Sequence, residues 1–211
     1  MDLARLVRSA TQLAAVPFVP EITLHQTDDL YELWHLTERE LGRAGLPPPF
    51  WGVPWPGGQA LARYLLDHPA LVAGRTILDF GSGSGLVAIA AAKAGAAAVI
   101  AAETDSLAVA SIKLNAAAND VPAPHSVRDV GGADVRADVI VAGDVWYERE
   151  LAELVRDYFD KVAAAGAEVL TGDIGRRYFP RDRYECVANY AVPASPMLEG
   201  KELISTSVWR R

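Results

Sequence analysis

The chain has 211 residues, 51% of them hydrophobic, enough for one sizeable core with little left for a second. Its 20 basic and 27 acidic side chains give a net charge of −7, which argues against a phosphate-backbone grip on DNA or RNA. Cys186 is alone, so neither a disulfide framework nor a cysteine-based zinc site can form within the chain, and a reducing, cytoplasmic setting is expected. No stretch reaches the roughly 20 uninterrupted apolar residues of a membrane span, so the protein is expected to be soluble, and a monomer. Residues 1–8 carry charge inside their apolar run and lack a signal-peptide h-region. Arg5 and Arg8 leave an amphipathic, transit-like reading open, against which Asp2 counts.

Helix-like apolar spacing covers residues 2–15 and 28–43, with Thr27 or Asp28 as the second N-cap and Gly42 or Gly45 near its stop. Residues 1–46 thus read as a helical extension ahead of a domain over 47–211. Pro47-Pro48-Pro49 ends all regularity, and the segment from Phe50 to Gln59 packs Trp51, Trp55, two prolines and three glycines ahead of a helix over 59–67. Rigidly held indoles can wall a pocket, stacking on a flat base or a methylated cation. They can equally plug a sheet edge, and this segment does not choose between the two.

Thr76 to Phe80 is a short apolar run that breaks into Gly81, Gly83 and Gly85, and a helix follows over Val87–Ala94. Alternate glycines admit positive φ and leave no Cβ to block a ligand, and the helix start offers unpaired N–H groups. A dinucleotide fingerprint wants Gly or Ala at the sixth position of G-x-G-x-x-G, where this chain has Leu86. The G-x-G-x-G form with Asp79 ahead of it resembles motif I of the seven-strand S-adenosylmethionine-dependent methyltransferases. A donor without a pyrophosphate needs no third packing glycine, and the Asp79 carboxylate suits the cofactor's ammonium group and sulfonium charge.

Gly95 stops the helix, and a second buried strand over Ala96–Ala102 leads to Glu103, about 20 residues past the glycines, where an acidic side chain can hold a ribose diol. Asp105 reads as the N-cap of a helix over Ser106–Ala118, with Asn115 and Asn119 in its packing and C-cap. A short strand near Ser126–Arg128 places Asp129 where it can meet the adenine amine. A strand over Ala137–Val141 runs into Gly143-Asp144-Val145-Trp146-Tyr147, then come a helix over 149–165, a strand over Glu168–Gly172 ending at Asp173, and a closing hairpin of 184–190 with 203–209. Ligands of open parallel sheets sit outside the carboxyl ends of the strands, so Asp144 and Tyr147 should share a crevice with Gly83 and Glu103. Capping of the 149–165 helix competes for Asp144, and ordinary packing for Tyr147. His25, His35, His68 and His125 lack metal-ligand spacing, and no metal is expected.

Pro49-Phe50-Trp51, the Trp55-to-Leu61 run, the Leu78-to-Gly85 loop and Gly143-Asp144-Val145-Trp146-Tyr147 together resemble the protein lysine methyltransferase family that includes the electron transfer flavoprotein β-subunit lysine methyltransferase, its bacterial members above all. The resemblance runs from about Pro47 through the tail. It implies a single-domain Rossmann-like α/β fold with a mostly parallel seven-strand sheet and a C-terminal antiparallel hairpin. It also implies S-adenosylmethionine as cofactor and a protein substrate such as that flavoprotein subunit. Relatives carry an acidic residue and an aromatic at the positions of Asp144 and Tyr147, which become the catalytic candidates: one accepts from the amine and stabilises the new cation, the other offers a π face or hydroxyl. Glu103 stands where relatives often have Asp, and the diol acceptor is kept. Trp55 and Gln59 are assigned to the cofactor or lysine channel. A small-molecule amine N-methyltransferase, resembling those acting on nicotinamide, remains the alternative, with a non-catalytic cofactor-binding module behind it.

Overall fold

The computed structural model describes residues 2–128 and 136–211. Helix α1 (Leu3–Ala10) is opened by the Asp2 side chain, which accepts from Arg5 N. It stops well short of residue 15, because Gln12–Val16 (β1) and Val19–Gln26 (β2) form an antiparallel hairpin instead. The helical extension expected from the sequence is therefore corrected to helix, hairpin, helix. Tertiary partners made the difference. Val16, Val19, Ile22 and Leu24 are fully buried against Ala62, Leu86, Ile89 and Ala90, each worth about 1.5–3 kcal/mol for a large aliphatic side chain. Asn119 accepts from Thr23 N and donates to Thr23 O, and Asn115 accepts from His25 N, so the two asparagines clamp β2. Helix α2 (Leu30–Leu41) follows, capped by Asp29 rather than by Thr27 or Asp28, and closed by Gly42 in the left-handed region.

The rest is built on a seven-stranded sheet. Strands β3 (Thr76–Phe80), β4 (Ala98–Ala102), β5 (His125–Val127), β6 (Val139–Gly143) and β7 (Glu168–Asp173) are parallel. The C-terminal hairpin of β8 (Glu185–Pro193) and β9 (Leu203–Arg210) adds antiparallel to β7, giving the order β5-β4-β3-β6-β7-β9-β8. Strand order reverses between β3 and β6, which is where a sheet of this kind binds ligands.

Helices cover both faces. On one, α3 (Pro56–Asp67) and α4 (Leu86–Lys93) bury Leu61, Leu65, Val87 and Ala91 against Ile77, Val139, Val141 and Leu170. On the other, α6 (Arg149–Ala164) buries Val155 and Phe159 against Leu78, Phe80, Ile140 and Ala142, with Trp146 fully enclosed between them and the tail. Successive residues of β6 thus feed opposite cores, as strand period two requires. Helix α5 (Ser106–Ala118) packs beside α1 and buries Leu107 and Ala108 with Leu6, Val7, Leu33 and Trp51. A four-residue helix, α7 (Pro196–Glu199), lies in the β8–β9 connection.

Candidate active site

The glycine loop after β3 turns at Gly81, Gly83 and Gly85, with φ of 65°, 53° and 82°, values that a side chain rarely allows. The three are not equivalent. A Cβ on Gly81 would press on Val145 and one on Gly85 on Ile112, both at 3.2 Å, whereas a Cβ on Gly83 would meet nothing nearer than 3.9 Å. Gly83 is thus the position open to a ligand, and the other two seat the loop.

Gly85 is the N-cap of α4 and brings no capping side chain. Asp79 supplies one from the strand: its Oδ2 accepts from Ala88 N at 3.0 Å and from the Ser82 hydroxyl at 2.6 Å. The carboxyl is buried, and burial pushes its pKa up to about 7 against those two hydrogen bonds. Glu103, after β4, reaches across to the same loop, its Oε2 accepting from Gly83 N at 2.9 Å while Oε1 accepts from the amides of Thr104 and Asp105. Burial raises Glu103 as well, against those amides. Asp105 caps α5 through Leu107 N, as the sequence suggests.

On the far side of the switch point the chain turns sharply after β6. Asp144 has φ 58°, one of only two such non-glycine residues among those described. Its Oδ2 accepts from Gly58 N at 2.8 Å, and its own N–H donates to Gly172 O. Close approach of α3 explains Gly57 and Gly143: a Cβ at Gly57 would lie 2.6 Å from Asp144 Oδ2 and against the Gly172 carbonyl, and one at Gly143 would lie 2.7 Å from Gly58 Cα, whereas a Cβ at Gly58 would meet only Leu86 Cδ2 at 3.8 Å. Burial pushes Asp144 up to about 7, with Arg176 pulling it down and Asp173 and Glu199 adding to the rise. Asp144 Oδ1 is buried and makes no hydrogen bond; its neighbour is Arg176 Nη2 at 3.5 Å. Arg176 in turn donates to Glu199 Oε1 at 2.7 Å.

Beside Asp144 stands an aromatic set. Tyr147 is 47% exposed and meets Phe50 edge-on at 5.7 Å, and Phe50 meets Trp55 the same way. Trp55 Nε1 donates to Phe50 O, and the Arg176 guanidinium lies 6.0 Å from the Trp55 ring centroid. Burial raises the pKa of the Tyr147 hydroxyl, with Glu148 and Glu103 adding to the rise and Arg176 opposing it. Of the two indoles of the segment, Trp51 is 3% exposed in the α1–α5 core, whereas Trp55 packs on Phe50.

Gln59 differs from its expected place in the channel. It is buried with its amide spent on backbone, accepting from Phe18 N and donating to the carbonyls of Pro54 and Pro193. It ties the hairpin turn, the Trp loop and β8 together. Asp129, assigned to adenine, lies outside the described residues. Sequence reasoning missed Arg176 and Glu199, which carry no local motif, and gave Phe50 no role of its own although it lies in a motif; Asp173 was visible only as the end of a strand. A cavity of about 270 Å³ between α6 and Tyr178 and another of about 620 Å³ between α1, α5 and β5 are lined by other residues.

The family model described as Ribosomal protein L11 methyltransferase (PrmA) matches residues 60–179, from α3 through the turn after β7. The electron transfer flavoprotein beta subunit lysine methyltransferase of Danio rerio is 38% identical over 171 residues, covering 78% of this chain and 66% of that protein. The Xenopus laevis protein of the same name is 35% identical over 206 residues, covering 94% of this chain and 82% of that protein. The chain belongs to the PrmA-type methyltransferases, with the electron transfer flavoprotein beta subunit lysine methyltransferases. Among solved structures, a ribosomal protein L11 methylase from Lactobacillus delbrueckii subsp. bulgaricus shares the fold, with a TM-score of 0.52 at 22% identity over 72% of this chain and 76% of that one.

The methyl donor of this methyltransferase is S-adenosylmethionine. The residues present fit it. Gly83 leaves open the space that a Cβ would fill, and Glu103, with three amides on a carboxylate that can take about four donors, keeps acceptor capacity for a diol. Among the described residues no helix is long and apolar enough to cross a membrane, and no cluster of acidic, His or Cys side chains is arranged to hold a metal ion.

Proposed function

We propose that this chain methylates lysine ε-amines of a protein, and that its target is the electron transfer flavoprotein beta subunit named in its relatives. The observation that carries the reading is the buried Asp144 Oδ1, which lacks a hydrogen bond and is joined to the Phe50–Trp55–Tyr147 set through Arg176, 3.5 Å from Oδ1 and 6.0 Å from the Trp55 ring centroid. A buried carboxylate oxygen without a donor is costly, and an amine N–H is a donor that would satisfy it. The Tyr147 and Trp55 rings add π faces that favour the cation formed on nitrogen.

The cofactor supplies an electrophilic methyl group on a sulfonium centre, so the protein needs no nucleophile of its own. Its residues align the acceptor and hold charge. Asp144 accepts from the amine and stabilises the product ammonium; with a pKa near 7 it is also poised to take up the proton that an arriving ammonium must lose. Glu103 holds the ribose hydroxyls, Gly81, Gly83 and Gly85 form the cradle, and Asp79 fixes that cradle from below. A cytoplasmic, monomeric enzyme without a nucleic-acid partner belongs to the same proposal, supported by the net charge of −7 and the lone cysteine.

The test is transfer of label from S-adenosylmethionine to purified electron transfer flavoprotein beta subunit and to a cell extract, beside Asp144→Ala. A labelled protein band that disappears with the variant supports the reading. Label confined to small molecules would replace the acceptor with a small amine.

A further inference from the structure

Arg176 sits in the turn after β7, where Asp173 fixes its backbone by accepting from the amides of Gly175 and Arg176, each at 2.6 Å. From there the guanidinium makes two unequal contacts. The one to Glu199 Oε1, at 2.7 Å, is a charge-assisted hydrogen bond; the one to Asp144 Oδ1, at 3.5 Å, is an ion pair without a hydrogen bond. All three side chains are largely buried, with the Asp144 side chain 9% exposed, Glu199 10% and Arg176 20%.

The groups facing the Asp144 carboxylate are few. Helix α3 presents the Gly58 N–H, the end of β7 presents Asp173 and Arg176, and α7 presents Glu199. Two of the four are like charges, and Arg176 is the only cation in the set. A buried carboxylate flanked by two others stays ionised only if a cation is held near it. If that cation hydrogen-bonded to Oδ1, however, it would occupy the atom an acceptor needs. Glu199 resolves the conflict by drawing the guanidinium back.

We propose that Arg176 is a positioning residue for the acceptor: leashed by Glu199, its guanidinium eases ionisation of the Asp144 carboxylate while leaving Oδ1 free to receive the substrate amine. The inference rests on the reading of Asp144 given above. It makes a directional demand on two substitutions. Arg176→Gln removes the cation and makes Asp144 harder to ionise. Glu199→Gln removes a like charge and the leash together, so the guanidinium closes on Asp144 and ionises it more easily.

The experiment is kcat/KM against pH for wild type, R176Q, R176K and E199Q, with S-adenosylhomocysteine binding measured in parallel. For R176Q the acid limb moves up by about one pH unit, so the rate at pH 7 falls about fivefold and recovers near pH 9. For E199Q the limb moves down, and R176K returns most of the wild-type profile. Cofactor-product affinity stays unchanged throughout. A merely structural role would lower the rate equally at every pH, and limbs that stay put or move the same way overturn the proposal. The same opposite shifts are read without any substrate from thermal unfolding against pH, where they vanish in an Asp144→Asn background. Failure of the lysine reading leaves that second measurement standing.

Discussion

The two halves of the crevice treat their carboxylates in opposite ways. On the glycine-loop side, every carboxylate is braced by hydrogen bonds: a hydroxyl and a helix amide for Asp79, three loop amides for Glu103, which keeps room for a further donor. On the other side, Asp144 Oδ1 and Asp173 Oδ2 are buried without a hydrogen bond, and the charges near Asp144 come from segments distant in the chain. One half is braced before a ligand arrives. The other carries unsatisfied negative charge, which an incoming cation or amine completes, at a cost in stability that folding alone would not select.

The widest separation of the two halves should come from Asp144→Asn. Turnover falls about 10²–10³-fold, as for loss of one preorganised charge-stabilising group, while S-adenosylhomocysteine affinity measured by calorimetry stays within about twofold. The reciprocal change, Glu103→Ala, removes the diol acceptor and the clamp on Gly83, so cofactor binding weakens by about 1–3 kcal/mol, ten- to a hundredfold, and kcat at saturating cofactor changes less.

Asn115 extends the contrast beyond the crevice. Its Nδ2 donates to Ser84 O in the glycine loop while its Oδ1 holds β2, so Asn115→Ala frees both. Stability falls by about 1–3 kcal/mol in denaturant unfolding, and cofactor binding weakens although Asn115 is itself buried away from the cleft.

Stability against pH sharpens the comparison from another direction. The folded-state pKa of Asp144, about 7, lies above its unfolded value of 3.8, so the native state keeps its proton longer. Stability from this group therefore declines as pH rises from about 4 to about 7 and is flat above. Asp144→Asn removes that decline, and its stability relative to wild type should be higher at pH 8 than at pH 4.5; equal differences at the two pH values would show that Asp144 is not held this way. The smallest effect is expected for Tyr147→Phe, which keeps the ring against Phe50 and loses only the hydroxyl, lowering kcat/KM about two- to fivefold.

How legible these features were follows how local their causes are. The parallel strands show as apolar runs because both faces of the sheet are covered, and the cofactor loop shows because three positive-φ turns demand three glycines in five residues. Gly57 was visible as a glycine but its reason was not: only the approach of α3 to β6 and β7 explains why no Cβ fits there. Residues 12–15 were misread as the end of a helix and β2 was not read as a strand, since the hairpin is held by Asn115 and Asn119 clamping the second strand from α5. Gln59 has the chemistry of a channel residue, yet three backbone partners, two of them from distant segments, make it a brace.

The sequence by itself determined the sheet, the cofactor loop, the acidic residue at the end of the second parallel strand and the Asp144–Tyr147 motif. Each depends on residues within a few positions of one another, and backbone geometry links them directly. Only the tertiary structure decided that Asp79 caps a helix lacking its own cap, that the N-terminal extension contains a hairpin, and that Arg176 and Glu199, 23 positions apart, set the charge beside Asp144. Those depend on Coulomb and packing contacts between segments that fold closure alone brings together, and such contacts leave no period or motif in the chain.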